Sequence, residues 1–79
     1  MSPVVEVKLF GALNRFNAGK SDITLRGERL EEILDSLTLG REEVGLVLVN
    51  RKPVESAWDS RRNLSDGDTI EIYPIVGGG

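Results

Sequence analysis

Cysteine and histidine are both missing from this sequence. Without cysteine there is no disulfide to brace the fold, no thiolate metal site and no thiol nucleophile. Without histidine, the commonest general base and a common metal ligand are gone as well. No apolar run approaches membrane-spanning length, and the N-terminus lacks the basic-then-apolar pattern of a secretion signal. A cytosolic protein needs no cysteine, so a cytoplasmic location is the expectation. None of the glycines forms a Walker or dinucleotide pattern, which leaves the chain without a phosphate-cradling loop of its own. A basic surplus is absent too. The net charge is −3 and the pI about 4.9, values that argue against a general nucleic-acid binder.

What is present is one small domain. The 79 residues are 39% hydrophobic and 29% charged, ordinary for a soluble globular protein and too apolar for a disordered one. Val4 to Phe10 reads as a strand with Val5, Val7 and Leu9 on one face. Gly11 to Lys20 reads as a loop, with Asn14, Asn17 and Gly19 as breakers, and Ser21 to Arg26 as a second strand. Leu30, Ile33, Leu34 and Leu37 make one apolar stripe at helical spacing, so Leu30 to Leu37 is the helix and Gly40 its stop. Glu28, Glu31 and Glu32 suit its N-terminal end, although no side chain there is a good N-cap. Gly45 to Val49 is an apolar run short enough for a buried strand. Asn50 to Pro53 turns the chain, and Pro53-Val54 begins a short return strand. After an irregular polar stretch from Glu55 to Asn63, an Asp66-Gly67 turn leads into a strand from Thr69 to Tyr73. Ile70 and Ile72 point inward there, and Pro74 removes a donor and ends the ladder. One helix with a single apolar stripe must pack on one face of the sheet, which predicts a two-layer α+β domain.

The chemistry-bearing candidates are few. The last three residues are Gly77, Gly78 and Gly79. Glycine is entropically the poorest residue for ordering a terminus, and three of them offer no side chain to pack. They do allow a segment leaving the sheet edge to enter a channel only as wide as a backbone, with the Gly79 carboxylate as the reactive group delivered. A carboxylate is inert to acyl transfer until its oxygen becomes a better leaving group, which adenylation with ATP achieves; a separate enzyme must supply that step. Phe10, together with Ile75 and Val76 at the root of the tail, is placed for an apolar docking surface, although Phe10 also suits the core. Arg51 and Lys52, with Arg61 and Arg62, form a basic cluster that is either solvated loop charge or a patch steering an acidic partner. Trp58 reads either as a partner anchor or as a lid folded over the small core. Asp66 and Asp68 are explained by the turn, and Lys8, Lys20 and Lys52 as solvated charges.

The chain resembles the MoaD/ThiS family of ubiquitin-like sulfur carriers, on the side of MoaD, the small subunit of molybdopterin synthase. The resemblance runs through Val7-Lys8-Leu9-Phe10-Gly11 with Leu13, Leu30 to Leu37, and Val47-Leu48-Val49-Asn50. It continues through Leu64-Ser65-Asp66-Gly67-Asp68 to Tyr73-Pro74-Ile75-Val76-Gly77-Gly78-Gly79. It implies a β-grasp fold with a mixed sheet of four to five strands on one main helix, spanning residues 1–76, followed by a flexible glycine tail at 77–79. It also implies a cycle in which the chain is a protein substrate or accessory subunit, not an enzyme. A MoeB/ThiF-like adenylyltransferase activates Gly79 with ATP, a persulfide donor leaves a thiocarboxylate, and the tail inserts into an acceptor such as the molybdopterin synthase large subunit. No cofactor, metal, nucleic acid or membrane is expected to bind the chain itself. Two departures stand out: the turn usually read as Asn-Gly is Asn50-Arg51, and the helix lacks its usual N-terminal Ser or Thr. A ThiS-like carrier for thiamine or another sulfur metabolite is an alternative. So is a protein modifier joined through Gly79 to lysine, or an interaction module whose tail is incidental.

Overall fold

A computed structural model describes residues 2–11, 13, 22–55, 58 and 63–75. Its elements are β1 (Val4–Leu9), β2 (Asp22–Arg26), α1 (Leu30–Ser36), β3 (Val44–Val49), β4 (Lys52–Pro53) and β5 (Thr69–Pro74). The five strands form one mixed sheet in the order β2-β1-β5-β3-β4, with β1 and β5 parallel and the other neighbours antiparallel. This is the expected α+β, β-grasp arrangement. The loop breakers Asn14, Asn17 and Gly19 lie outside the described residues.

The period-two pattern puts Val5, Val7 and Leu9 of β1 and Ile70 and Ile72 of β5 on the inner face, each 1% exposed or less. The stripe of α1 covers them with Leu30, Ile33 and Leu34, and no buried polar or charged residue interrupts this core among the described residues. The poor N-cap is real: Arg29 holds the cap position without a side-chain bond. A tertiary tie replaces it, because Arg29 bridges to Asn63 and the Leu64 N–H donates to the Glu28 carbonyl at 2.8 Å.

The helix terminus corrects the expectation for Gly40. α1 ends at Ser36, Leu37 is the C-cap, and Thr38 takes the left-handed position at φ 57. Two backbone bonds close the end, Thr38 N–H to Asp35 O and Leu39 N–H to Leu34 O, as in a Schellman motif. Burial of both Leu34 and Leu39 fixes where the helix stops, and the glycine arrives two residues too late. A β-branched residue in this region is strained by roughly 1–2 kcal/mol. Thr38→Gly is therefore expected to stabilise the domain by about 0.5–1 kcal/mol after glycine's greater unfolded-state entropy is counted, read as a rise in Tm.

Strand boundaries differ as well, including the end of β5, which runs to Pro74. β1 stops at Leu9, β4 is Lys52–Pro53 instead of Pro53-Val54, and β3 begins at Val44. Nor is β3 a buried apolar run. Val44, Val47 and Val49 are buried, whereas alternation turns Leu46 outward to 44% exposure, and a register irregularity between Val44 and Leu46 leaves Gly45 outward as well and returns Val44 to the core. Pro74 is the last residue of β5, as expected of a residue without a donor, but it is itself paired, with Val44, and the Ile75 N–H beyond it donates to Glu43 O at 3.3 Å.

Candidate functional site

Parity along the central strands builds the outer face. Lys8, Glu71 and Leu48 are register partners in one row, and the next row toward the tail contains Tyr73 opposite Leu46, with Phe10 following β1. The Phe10 N–H donates to Ile72 O, and the Phe10 ring stacks on Tyr73 with centroids 4.3 Å apart and planes 6° from parallel. Phe10 is thus outside the core, and its stack with Tyr73 resolves the two readings of this residue. A shallow groove lined by Val44, Gly45, Leu46, Tyr73, Pro74 and Ile75 opens beside it. Ile75, 53% exposed, and Leu46 are the large hydrophobic residues most open to solvent among the described residues. An exposed apolar patch of this kind, concentrated at one end of a sheet, is a recognised mark of a binding surface.

The polar edge of this face is set by Tyr73. Its hydroxyl donates to the Glu71 carboxylate at 3.3 Å. Its pKa lies above the ordinary tyrosine value, first because burial disfavours the phenolate and next because Glu71 does the same, while Arg51 pulls the other way. The hydroxyl therefore stays protonated near neutral pH and serves as a donor.

Arg51 and Lys52 sit at the opposite end of the sheet from the tail root. Val49 pairs with Lys52 and with Ile70, whereas Pro74 pairs with Val44, so about 13 Å of β5 separates the two ends. Asn50 and Arg51 form a two-residue hairpin loop in which both take positive φ, 51 and 68. Glycine normally fills the second position, and Arg51 is held there by the anchorage of its neighbour. The Asn50 amide donates to Asp68 Oδ1 at 2.9 Å, its carbonyl oxygen accepts from the Thr69 N–H at 3.0 Å, and its own N–H donates to Thr69 O at 2.8 Å. The two aspartates do structural work, as expected. Asp66 accepts the Val4 N–H at 2.7 Å and Asp68 the Ser65 N–H at 2.8 Å, and Gly67 turns the chain at φ 89.

Trp58 folds back as a lid. It is partly buried against the core, with the Arg41 guanidinium 5.7 Å from its ring centroid. Arg61, Arg62, Val76 and the three terminal glycines lie outside the described residues. Among the described residues, no cluster of His, Cys, Asp and Glu could hold a metal ion, and no helix is long and apolar enough to cross a membrane.

Sequence reasoning missed Leu46, Tyr73 and Gly45. Leu46 and Tyr73 were absorbed into strands presumed to be buried or merely alternating. The available signal was Gly45 itself, since an isolated glycine inside a strand pattern marks a bulge or a close backbone approach.

Comparison with known proteins agrees with this architecture. The chain matches the structure of small archaeal modifier protein 1 from Methanosarcina acetivorans at 26% identity, over 100% of this chain and 99% of that one, with a TM-score of 0.81. It also matches a chain of the BexX/CysO complex of Amycolatopsis orientalis at 24% identity, covering 95% and 99%, with a TM-score of 0.71. A third match is the complex of subunits 1 and 2 of the Helicobacter pylori molybdopterin-converting factor, at 22% identity, covering 96% and 99%, with a TM-score of 0.67. No curated protein matches. The model of the ThiS family matches residues 7–79, from the core of β1 to the last glycine, and the chain belongs to that family of ubiquitin-like sulfur carriers.

Proposed function

We propose that this protein carries sulfur as a thiocarboxylate on Gly79 and delivers it in molybdopterin biosynthesis, acting as a protein substrate and accessory subunit. The observation that carries this reading is the family match, which extends through the terminal glycines in a chain containing no thiol or imidazole. The outer face supports it. Phe10, Tyr73, Leu46 and Ile75 form an apolar surface at the root of the tail, where a partner must dock to receive the terminus. The Pro74-Ile75-Val76 approach to the glycines favours the molybdopterin pathway over thiamine.

The chemistry follows from the group delivered. The Gly79 carboxylate attacks the α-phosphorus of ATP on an adenylyltransferase of the MoeB/ThiF kind, and pyrophosphate leaves. The terminal sulfur of a persulfide then attacks the acyl carbon and expels AMP, giving an acyl disulfide. A thiol attacks the donor-side sulfur, becomes oxidised to a disulfide with it, and releases the thiocarboxylate. An acceptor such as the molybdopterin synthase large subunit then takes the tail, and the sulfur passes to its pterin precursor.

A second reading is a protein modifier, in which the same adenylate is resolved by a lysine amine instead of sulfur. The likeness to the Methanosarcina modifier favours keeping it in view. Intact mass spectrometry after incubation with adenylyltransferase, ATP and a persulfide donor separates the two. The carrier reading expects one oxygen exchanged for sulfur at the C-terminus, and the modifier reading expects conjugates in cell extract. A chain that stays unchanged under both conditions sinks both.

A further inference from the structure

The tail leaves the sheet between two glycines. Pro74, the last residue of β5, is flanked by the end of β1 on one side and by β3 on the other. On the β1 side stands Gly11, at φ 59, where a Cβ would lie 3.1 Å from Pro74 Cγ. On the β3 side stands Gly45, where a Cβ would lie 2.6 Å from the Pro74 carbonyl oxygen and 3.0 Å from both the Pro74 carbonyl carbon and Ile75 Cα. The second approach is to backbone atoms, so no rotamer change relieves it. The irregularity between Val44 and Leu46 brings Gly45 to this position, and the Ile75 N–H bond to Glu43 O holds the outgoing chain against it. Bulges commonly re-aim a strand in this way.

Gly45 fills no core and is itself exposed, while glycine inside a strand is destabilising by roughly 0.5–1 kcal/mol. The contact needs glycine because a Cβ has no room there, and because it falls at the root of the tail it also sets the aim of the outgoing chain. Four residues follow Ile75, and fully extended they span at most about 14 Å. Once a partner's backbone-wide channel holds that segment extended, a tilt of about 20° at the root moves the far end by about 5 Å, whereas acyl transfer demands reacting atoms within about 3–3.5 Å of each other.

We propose that Gly45, with Gly11 opposite, is a positioning residue that fixes the direction in which the tail leaves the domain, and so delivers the Gly79 carboxylate to the activating enzyme. This inference rests on the carrier reading given above. The test is ATP–pyrophosphate exchange by a MoeB/ThiF-type adenylyltransferase as a function of carrier concentration, which gives kcat and KM separately, with thermal unfolding measured alongside. For Gly45→Ala, kcat is expected to fall by about 10–100-fold, a larger change than any rise in KM, because Gly45 lines the docking groove but Phe10, Tyr73 and Leu46 are left in place. Gly11→Ala approaches Pro74 from the other side through a looser contact with the proline ring, and is expected to lower kcat in the same direction by a smaller factor of about 3–10, which keeps the test open if Gly45→Ala fails to fold. Gly67→Ala is the control: it is strained at φ 89 yet its Cβ meets nothing within 4 Å, so it lowers stability without touching the tail root. A kcat equal to wild type in folded Gly45→Ala and Gly11→Ala overturns the inference. So does a kcat loss matched by Gly67→Ala, or a rise in KM at constant kcat. If wild-type protein supports no exchange, the carrier reading falls and this inference with it.

Discussion

Removing Gly78 and Gly79 abolishes ATP-dependent activation and leaves the thermal unfolding transition where it was. The two halves of this expected result have separate causes. Activation is lost because the new C-terminal carboxylate, on Gly77, ends about 7 Å short of its former reach in extended chain, and binding energy from an intact docking face cannot replace missing proximity. Stability is kept because every buried core residue among those described lies between Val5 and Ile72. ATP–pyrophosphate exchange together with calorimetry checks both halves. The truncated protein should also compete with the full-length chain for the activating enzyme, since Phe10, Tyr73, Leu46 and Ile75 remain. If the truncation retains sulfur transfer, the tail is incidental and the interaction-module reading returns.

Ile72→Ala has the opposite profile. Ile72 is fully buried in the middle of β5, in register with Leu9 of β1 on one side and Val47 of β3 on the other. Truncating such a side chain costs about 2–5 kcal/mol, through lost transfer energy and the cavity left behind. A domain of this length has roughly 4–12 kcal/mol of total stability, and the cysteine-free chain has no disulfide in reserve. The urea midpoint is expected to fall by at least about 1 M, or the cooperative transition to vanish. Ile72→Val, which removes one methylene group, should cost only about 0.5–1.5 kcal/mol. Equal effects for the two substitutions would mean that the site collapses around the smaller side chain.

How much of this was legible in the sequence depends on whether a residue's role is local. The strand of Val5, Val7 and Leu9, the stripe from Leu30 to Leu37 and the inward Ile70 and Ile72 were readable because periodicity alone reports which side is buried. The Asp66-Gly67 turn was readable because its geometry is a property of two adjacent residues. The helix end was misplaced because the pull of Leu39 into the core outweighs the preference of Gly40 for the left-handed region, and the result is strain at Thr38. The apolar run at β3 misled because valine and leucine look alike to a hydropathy pattern, which hides both the alternation of inward Val47 with outward Leu46 and the bulge at Gly45 that returns Val44 to the core. Asn50 was recognised as a turn former, yet the bonds by which it supports Arg51 reach residues 18 and 19 positions away, beyond any local signal. The family resemblance gave the role proposed for the tail, and geometry added the apolar outer face and the close approach of Gly45 at its root.

The alternation of β5 has a consequence for how such a protein can diverge. Ile70 and Ile72 face the core, while Glu71 and Tyr73 face outward, on neighbouring positions of one strand. With the outer face as the proposed docking surface, instructions for folding and for partner choice are interleaved without sharing a side chain. A lineage can rewrite the outer positions 46, 48, 71 and 73 to suit a new enzyme while the inner ones stay fixed. One scaffold can then enter different pathways, keeping its glycine terminus as the common currency.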